Sequence, residues 1–277
     1  KQKNIYRVFY SGRDKKNRSS IGWVDIDIEK KIIIKKCKEA IFKFSSTKDS
    51  FYSHGVSIGN YYKFNNKIFI LFMGWQIREG AHWRGDIGQL VVSSDLEKIV
   101  LSSNNPYMTS DKEDQLSLSY PFIINDDGLY KMWYGSTESW DSPNNEMIHV
   151  IKYAESTDLL NWSKKGTVLP WSLGIAQAFS RPTVIKHLNK YHMWFSYRKG
   201  GGDKYKIGYS SSDDGKEWSN ESPMKLAKKS YESGGSGETL TIGGRTRVIT
   251  KKEADDHKKK VMSTKATKYN TYARGKN

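Results

Sequence analysis

Apolar and polar residues alternate in short runs along most of the chain, and four of these runs resemble one another. They are IYRVFYSGR (5–13), IFILFMGW (68–75), YKMWYGST (130–137) and YHMWFSYR (191–198). Superimposing Phe9, Phe72, Trp133 and Trp194 spaces them 63, 61 and 61 residues apart. Alternation bounded by turn residues predicts β-strands, and the fixed period predicts one structural unit used repeatedly. A second run follows each of the first: SSIGWVDID (19–27), GDIGQLVVSSDLE (85–97), HVIKYAESTDLLNW (149–162) and YKIGYSSSDDGKEW (205–218). Each predicts a strand and a tight turn, in which the Asp accepts backbone N–H bonds. A third run precedes the later copies: HGVSIGNYYKF (54–64), LSYPFIIND (118–126) and FSRPTVIKH (179–187). Three or four antiparallel strands every sixty residues or so predict an all-β, five-bladed β-propeller, with Trp133 and Trp194 packed between blades.

Beyond Trp218 the pattern fades. YESGGSGETLTIGG (231–244) supplies one further inner strand, and the strands of a complete closing blade are not recognisable. Thr250-Lys251-Lys252-Glu253 has the spacing of a helix capping box and predicts a short helix to about Met262. The expected organisation is a propeller over residues 1–248 and a basic tail, part helix and part disordered, over 249–277.

Composition changes this picture in three places. Nine Trp and 17 Tyr in 277 residues argue for an ordered core. A single cysteine, Cys37, excludes an internal disulfide framework and a cysteine metal cage, and reads as a small buried hydrophobe. The net charge of +16 favours anionic partners, and its clustering after Lys251 makes residues 251–277 a candidate polyanion-binding arm, equally well read as a solvated extension. No apolar run reaches the length of a transmembrane helix and no signal peptide is visible, so a cytoplasmic location is the expectation. No metal or cofactor motif stands out.

The segments YRVFYSGRDKKNRSSIGWVDID, LSYPFIINDDGLYKMWYGSTESWD, HVIKYAESTDLLNW and FSRPTVIKHLNKYHMWFSYR, with KYKIGYSSSDDGKEW, together resemble the five-bladed glycoside-hydrolase-like propellers related to arabinanases, xylosidases and fructosidases. Within that group the chain is most similar to propellers encoded among bacterial surface-polysaccharide genes. The resemblance covers residues 5 to about 220. It implies a carbohydrate-active protein that handles a cell-surface or capsular glycan, by glycoside hydrolysis or glycosyl transfer. It also implies that the start of each inner strand presents a residue to the sugar. The alternatives are a non-catalytic glycan-binding or scaffolding propeller, and a virion- or nucleic-acid-associated protein that uses its basic tail.

Glycoside hydrolysis needs two carboxyl groups. Glu238, between glycines, is the one carboxylate at an inner-strand start, and Asp14, beside Arg13, is the candidate second. Asp49, Asp86 and Asp141 are further loop carboxylates. Candidate sugar-binding residues are His54, Tyr120 and Arg181 at inner-strand starts, Arg198 at the end of the adjoining strand, and Trp75 and Trp140 as stacking surfaces at the rim. Ser211 to Trp218 fits the Ser-x-Asp-x-Gly-x-x-Trp turn found on the outside of sialidase blades, and Ser156 to Trp162 is a shorter variant.

Overall fold

The computed structural model describes residues 4–219 in full and, for 235–242 and 245–250, the backbone only. The described residues form strands without a helix. The first repeat gives β1 (Ile5–Arg13), β2 (Ser19–Asp27) and β3 (Ile32–Lys36). The second gives β4 (Gly55–Phe64), β5 (Lys67–Ile77), β6 (Trp83–Val92) and β7 (Ile99–Leu101). The third gives β8 (Leu118–Asp126), β9 (Leu129–Ser139), β10 (Ile148–Ser156) and β11 (Ser163–Thr167), and the fourth β12 (Ser180–His187), β13 (Lys190–Tyr197) and β14 (Lys206–Ser212). Within each repeat, successive strands pair antiparallel. The first strands lie side by side, β4 against β8 and β8 against β12, so that the sheets radiate from a common line as propeller blades do. A single parallel contact, Ser19 with Gly55, joins β2 to β4.

The last pair, β15 (Gly235–Ile242) and β16 (Arg245–Thr250), is an antiparallel hairpin. β15 falls within the segment expected to supply an inner strand. β16 continues to Thr250, so the first two residues assigned to the tail are strand. The remainder of the expected helix and tail, 251–277, lies outside the described residues.

Aromatic and aliphatic side chains from neighbouring sheets interleave to form the core. One cluster between the third and fourth sheets is built on Trp133, Tyr153, Phe179, Tyr191, Phe195 and Trp218. Trp133 is wholly buried, but Trp194 is 39% exposed, contrary to expectation. The alternation of β13 explains the difference. Tyr191, Met193 and Phe195 point toward the third sheet, whereas Trp194 shares the opposite face with His192 and Tyr209, beyond the last fully described sheet.

The turn after the third strand of each repeat is a repeated device. In the second, third and fourth repeats a serine and an aspartate two residues later accept the backbone N–H groups of the turn. The aspartates are Asp95, Asp158 and Asp214. The next residue enters the left-handed region: Leu96 at φ 63°, Leu159 at 65° and Gly215 at 81°. In the Asp-box-like segment the working residues are Ser212 and Asp214, one position later than the sequence match suggests.

The carbonyl of that left-handed residue is captured by a donor from the preceding repeat. Arg7 donates to Leu96 O at 2.8 Å, the Tyr107 hydroxyl donates to Leu159 O, and Trp133 Nε1 donates to Gly215 O at 2.9 Å. Gly215 has a second reason to be glycine: a Cβ there would stand 2.9 Å from the Trp133 ring.

His149, on β10, ties three strands together at full burial. Its Nδ1–H donates to Phe179 O just before β12, which leaves Nε2 to accept from the Ser119 hydroxyl of β8 at 2.8 Å. Burial without a carboxylate pushes the imidazole pKa down to about 4.

Two outcomes follow. Trp133→Phe keeps the ring but removes one of two donors to Gly215 O, the other being Trp218 Nε1 at 3.1 Å. Denaturant unfolding should show a loss of about 1–2 kcal/mol, against about 3–5 kcal/mol for Trp133→Ala. For His149, the unfolded chain binds a proton near pH 6.5 and the fold only near about 4. Stability is therefore lost as pH falls through that window, by up to about 3 kcal/mol. Unfolding midpoints of wild type and His149→Asn should converge between pH 6.5 and 4.5, and parallel curves would contradict this assignment.

Candidate functional site

The first strands of the second, third and fourth repeats are interrupted at the same place. Gly59-Asn60 opposes Leu71 alone, Tyr120-Pro121 opposes Tyr134 alone, and Arg181-Pro182 opposes Phe195 alone. These are β-bulges, in which two residues face one and the strand bends. Proline supplies no N–H for the ladder, so a bulge is where a strand tolerates it. In β8 and β12 the residue before the proline is forced into the left-handed region: Tyr120 at φ 42° and Arg181 at 53°. A non-glycine residue held there costs about 1–3 kcal/mol, and such strain is retained where the surroundings fix it. In β4 the same position is Gly59, because a Cβ would meet the Pro121 carbonyl oxygen of β8 at 2.2 Å. Asn60 then clamps β8 with two bonds, donating to Ile123 O at 2.7 Å and accepting from Ile123 N at 2.8 Å.

The register places Tyr120 and Arg181 at equivalent points of adjacent strands. The Arg181 guanidinium lies over the Tyr120 ring, 4.5 Å from its centroid. The ion-pair alternative for Arg181 is not what the described residues show, since it has no carboxylate partner among them. His54 precedes β4 and is out of register with these two, because Ile58 is the residue that precedes the bulge as Ser119 and Ser180 do, and Gly59 takes the place of Tyr120 and Arg181.

The loops joining second to third strands rise at the same end as the first-strand starts. In the β13–β14 loop, Arg198 is bound to buried Glu146 of the β9–β10 loop. Its Nη2 lies 2.9 Å from Oε1 and its Nε pairs with Oε2. Arg198 also lies over the Tyr205 ring at 4.7 Å. The Tyr205 hydroxyl is close enough to Arg198, Tyr120, Glu146 and Arg181 to feel each of them. Behind this pair, Asn144 and Gln177 share hydrogen bonds, with Asn144 Nδ2 donating to Gln177 Oε1 at 2.6 Å. Tyr120, Arg181, Arg198, Tyr205 and Glu146 therefore form one cluster across the third and fourth blades.

A second group is aromatic. Half-buried Trp140 stacks on His82 with centroids 5.0 Å apart and planes 15° apart, and meets Trp83 edge-on at 4.8 Å. Trp83 approaches His149 at 6.4 Å, and His149 holds Ser119, the neighbour of Tyr120. The aromatic group thus adjoins the arginine–tyrosine cluster.

The other expected residues stand elsewhere. Trp75 is buried and its indole N–H is committed to Ser19 Oγ at 3.0 Å, so it is not an open stacking surface. His54 lies against it, 5.9 Å between ring centroids, and its Nδ1 accepts from Ile77 N at 3.3 Å. Asp14 closes the β1–β2 turn. Its carboxylate accepts from the backbone of Lys16 and Arg18 and from the Arg18 guanidinium at 2.8 Å. The backbone and side chain of Arg18 hold its pKa below the usual carboxylate range. This is the hairpin role weighed against a rim carboxylate from sequence. Asp86 is buried under Arg84. Glu238 lies on β15 in an irregular stretch where Ser236-Gly237-Glu238 opposes Ile249 alone, and its side chain is outside the described residues. No group of three or more His, Cys, Asp or Glu residues suited to a metal occurs among the described residues.

Sequence reasoning missed Glu146, Tyr205, His82 and Trp83. The available signal was positional, since all four sit in or beside the loop that follows the repeated aromatic strand.

Comparison with known proteins places the fold. Residues of this chain superpose on the sucrose-6-phosphate hydrolase of Lactobacillus gasseri with a TM-score of 0.58 and 12% identity, covering 78% of this chain and 44% of that one. The α-L-arabinanase of Cellvibrio cellulosa gives 0.57 and 11%, covering 79% and 75%. A β-fructofuranosidase of Bombyx mori gives 0.57 and 12%, covering 88% and 51%. These neighbours are propeller glycoside hydrolases, and the likeness establishes an all-β propeller fold. This chain spans less than half the length of the first of them. No family model matches the sequence. In sequence, the uncharacterized protein Rv1502 of Mycobacterium tuberculosis (strain H37Rv) is 35% identical over 216 residues, which are 78% of this chain and 71% of that protein. Its counterpart in strain CDC 1551 matches to the same extent. By that identity and coverage, the chain belongs to the same family as these uncharacterized mycobacterial proteins.

Proposed function

We propose that this chain is a five-bladed carbohydrate-active propeller that recognises a cell-surface or capsular glycan at the end where the bulged first strands begin. The observation that carries the reading is the pair Tyr120 and Arg181. Both are strained at one level of adjacent blades, and the aromatic group of Trp140, Trp83 and His82 is linked to Tyr120 through His149 and Ser119. Aromatic faces suit the apolar face of a pyranose, and arginine and tyrosine suit its hydroxyls. The fold shared with glycoside hydrolases supports a sugar as the ligand. The fifth blade would draw on β15 and β16, whose bulged hairpin repeats the first-to-second-strand pattern.

Hydrolysis or transfer would rest on Glu238, with a second carboxyl group still to be supplied. A specific observation favours the alternative of a non-catalytic glycan-binding module. Three of the carboxylates at this end are committed, Glu146 to Arg198, Asp14 to its own turn and Asp86 to Arg84. None of these three is free to exchange protons with a sugar.

A panel of mono- and oligosaccharides titrated by calorimetry, with a parallel assay for released reducing ends, tests both. Binding weakened about tenfold or more by Trp140→Ala supports the mouth as the sugar site. Turnover lost in Glu238→Gln with binding retained assigns an enzyme, and binding without turnover in the wild type assigns a binding module. Failure of every sugar to bind would refute the reading.

A further inference from the structure

We infer that Arg181, held by Tyr120 and accompanied by Tyr205, is a receptor for an oxyanion carried by the sugar, a phosphate or carboxylate. This rests on the mouth being the sugar site. The first ground is charge. Arg7, Arg18, Arg84 and Arg198 each hold a carboxylate. Arg181 is exposed and donates to no acceptor among the described residues. Its neighbour Arg198 is already neutralised by Glu146, so the cluster retains one uncompensated positive charge, and that charge is Arg181.

The second ground is orientation. A guanidinium whose flat face rests on an aromatic ring keeps its N–H edge available, and that edge matches two oxygens of one carboxylate or phosphate. The bulge before Pro182 fixes the backbone from which the side chain projects, and the strain at φ 53° is what a fixed binding group requires. Tyr205, whose ring lies under Arg198 at 4.7 Å, supplies a further hydroxyl donor. A neutral sugar would leave the charge unmatched, and charge-assisted hydrogen bonds are roughly twice as strong as neutral ones. A nucleic acid needs a row of cations along its backbone, whereas this cluster offers a single uncommitted guanidinium.

The test uses the full 277-residue chain and calorimetry with glucose, glucuronate, glucose 6-phosphate, inorganic phosphate and a single-stranded DNA oligonucleotide. One or both anionic sugars should bind at least about tenfold more tightly than glucose, and added salt should reduce the difference. Arg181→Gln should abolish the preference with the melting temperature unchanged, because the side chain is exposed. Arg181→Lys should restore it in part, and Tyr120→Leu should weaken it while Tyr120→Phe does not. Preference for glucuronate over the phosphate, or the reverse, identifies the oxyanion. Glucose bound as tightly as its anionic forms, or a preference untouched by Arg181→Gln, overturns this inference and leaves the sugar reading standing. Phosphate binding that depends on Arg181 with no contribution from sugar overturns the sugar reading instead. Tighter binding of DNA than of either sugar anion overturns the sugar-borne oxyanion, and absence of all binding overturns both.

Discussion

The architecture depends on the capture of one carbonyl per blade. A strand that must turn sharply back on itself drives one residue into the left-handed region, and its carbonyl then points away from its own sheet. Buried without a partner, such a group costs as much as a lost hydrogen bond. Here Leu96, Leu159 and Gly215 each surrender that carbonyl to a donor from the blade before. The donors differ chemically, being a guanidinium, a phenol and an indole, yet they meet the same need. A local turn is thereby made into an interblade contact, and the angle between sheets is fixed by directional bonds as well as by packing. Arg7 shows how much is invested: it also stacks on Trp23 at 3.6 Å and grips Asp25 with two bonds.

With the outer parts of the blades locked, the inner strands are pressed together where they begin. Gly59 accommodates the Pro121 carbonyl, Asn60 clamps Ile123, and His149 binds Ser119 to the chain entering β12. These contacts satisfy backbone groups of Ile123 and Phe179 with side chains from the neighbouring blade. They also leave the bulged residues themselves, Tyr120 and Arg181, with side chains directed by strain rather than by burial. Binding groups on a rigid sheet edge are held more exactly than groups on a loop, and the loops that carry Arg198, Tyr205 and Trp140 only close around them.

The electrostatics of this end separate structure from recognition. Glu146 and Arg198 form a pair whose removal would leave a buried charge, so they belong to the scaffold. Asp14 and the turn aspartates are held by backbone N–H groups and serve the hairpins. The residues gathered around Tyr120 and Arg181 are aromatic and cationic, which is a binding chemistry before it is an acid–base one. The propeller glycoside hydrolases share the fold with this chain at 11–12% identity. A fold shared at that distance does not carry the chemistry with it.

The sequence by itself determined the repeat, the strands and the turns, because these depend on contacts between near neighbours. Alternation with a fixed period marks a strand whatever it packs against, and Ser-x-Asp followed by Gly or Leu closes a turn from within. It also determined Arg181 and Tyr120 as residues of interest, since each stands at the start of an expected inner strand. Tertiary structure decided what depends on residues about sixty positions apart. Trp75 and Trp140 look alike as rim residues in the sequence, but Trp75 is buried with its indole N–H on Ser19 whereas half-buried Trp140 stacks on His82 and meets Trp83. His54 is equivalent to Tyr120 by sequence, but the bulge sets the register so that Gly59 takes that place. Trp194 was expected in the core, and its exposure follows from which face of β13 the neighbouring blade covers. Glu146, remote from Arg198 in sequence and bonded to it in the fold, could not have been chosen from the sequence. Pairing across blades depends on distances that only the closed arrangement of sheets defines.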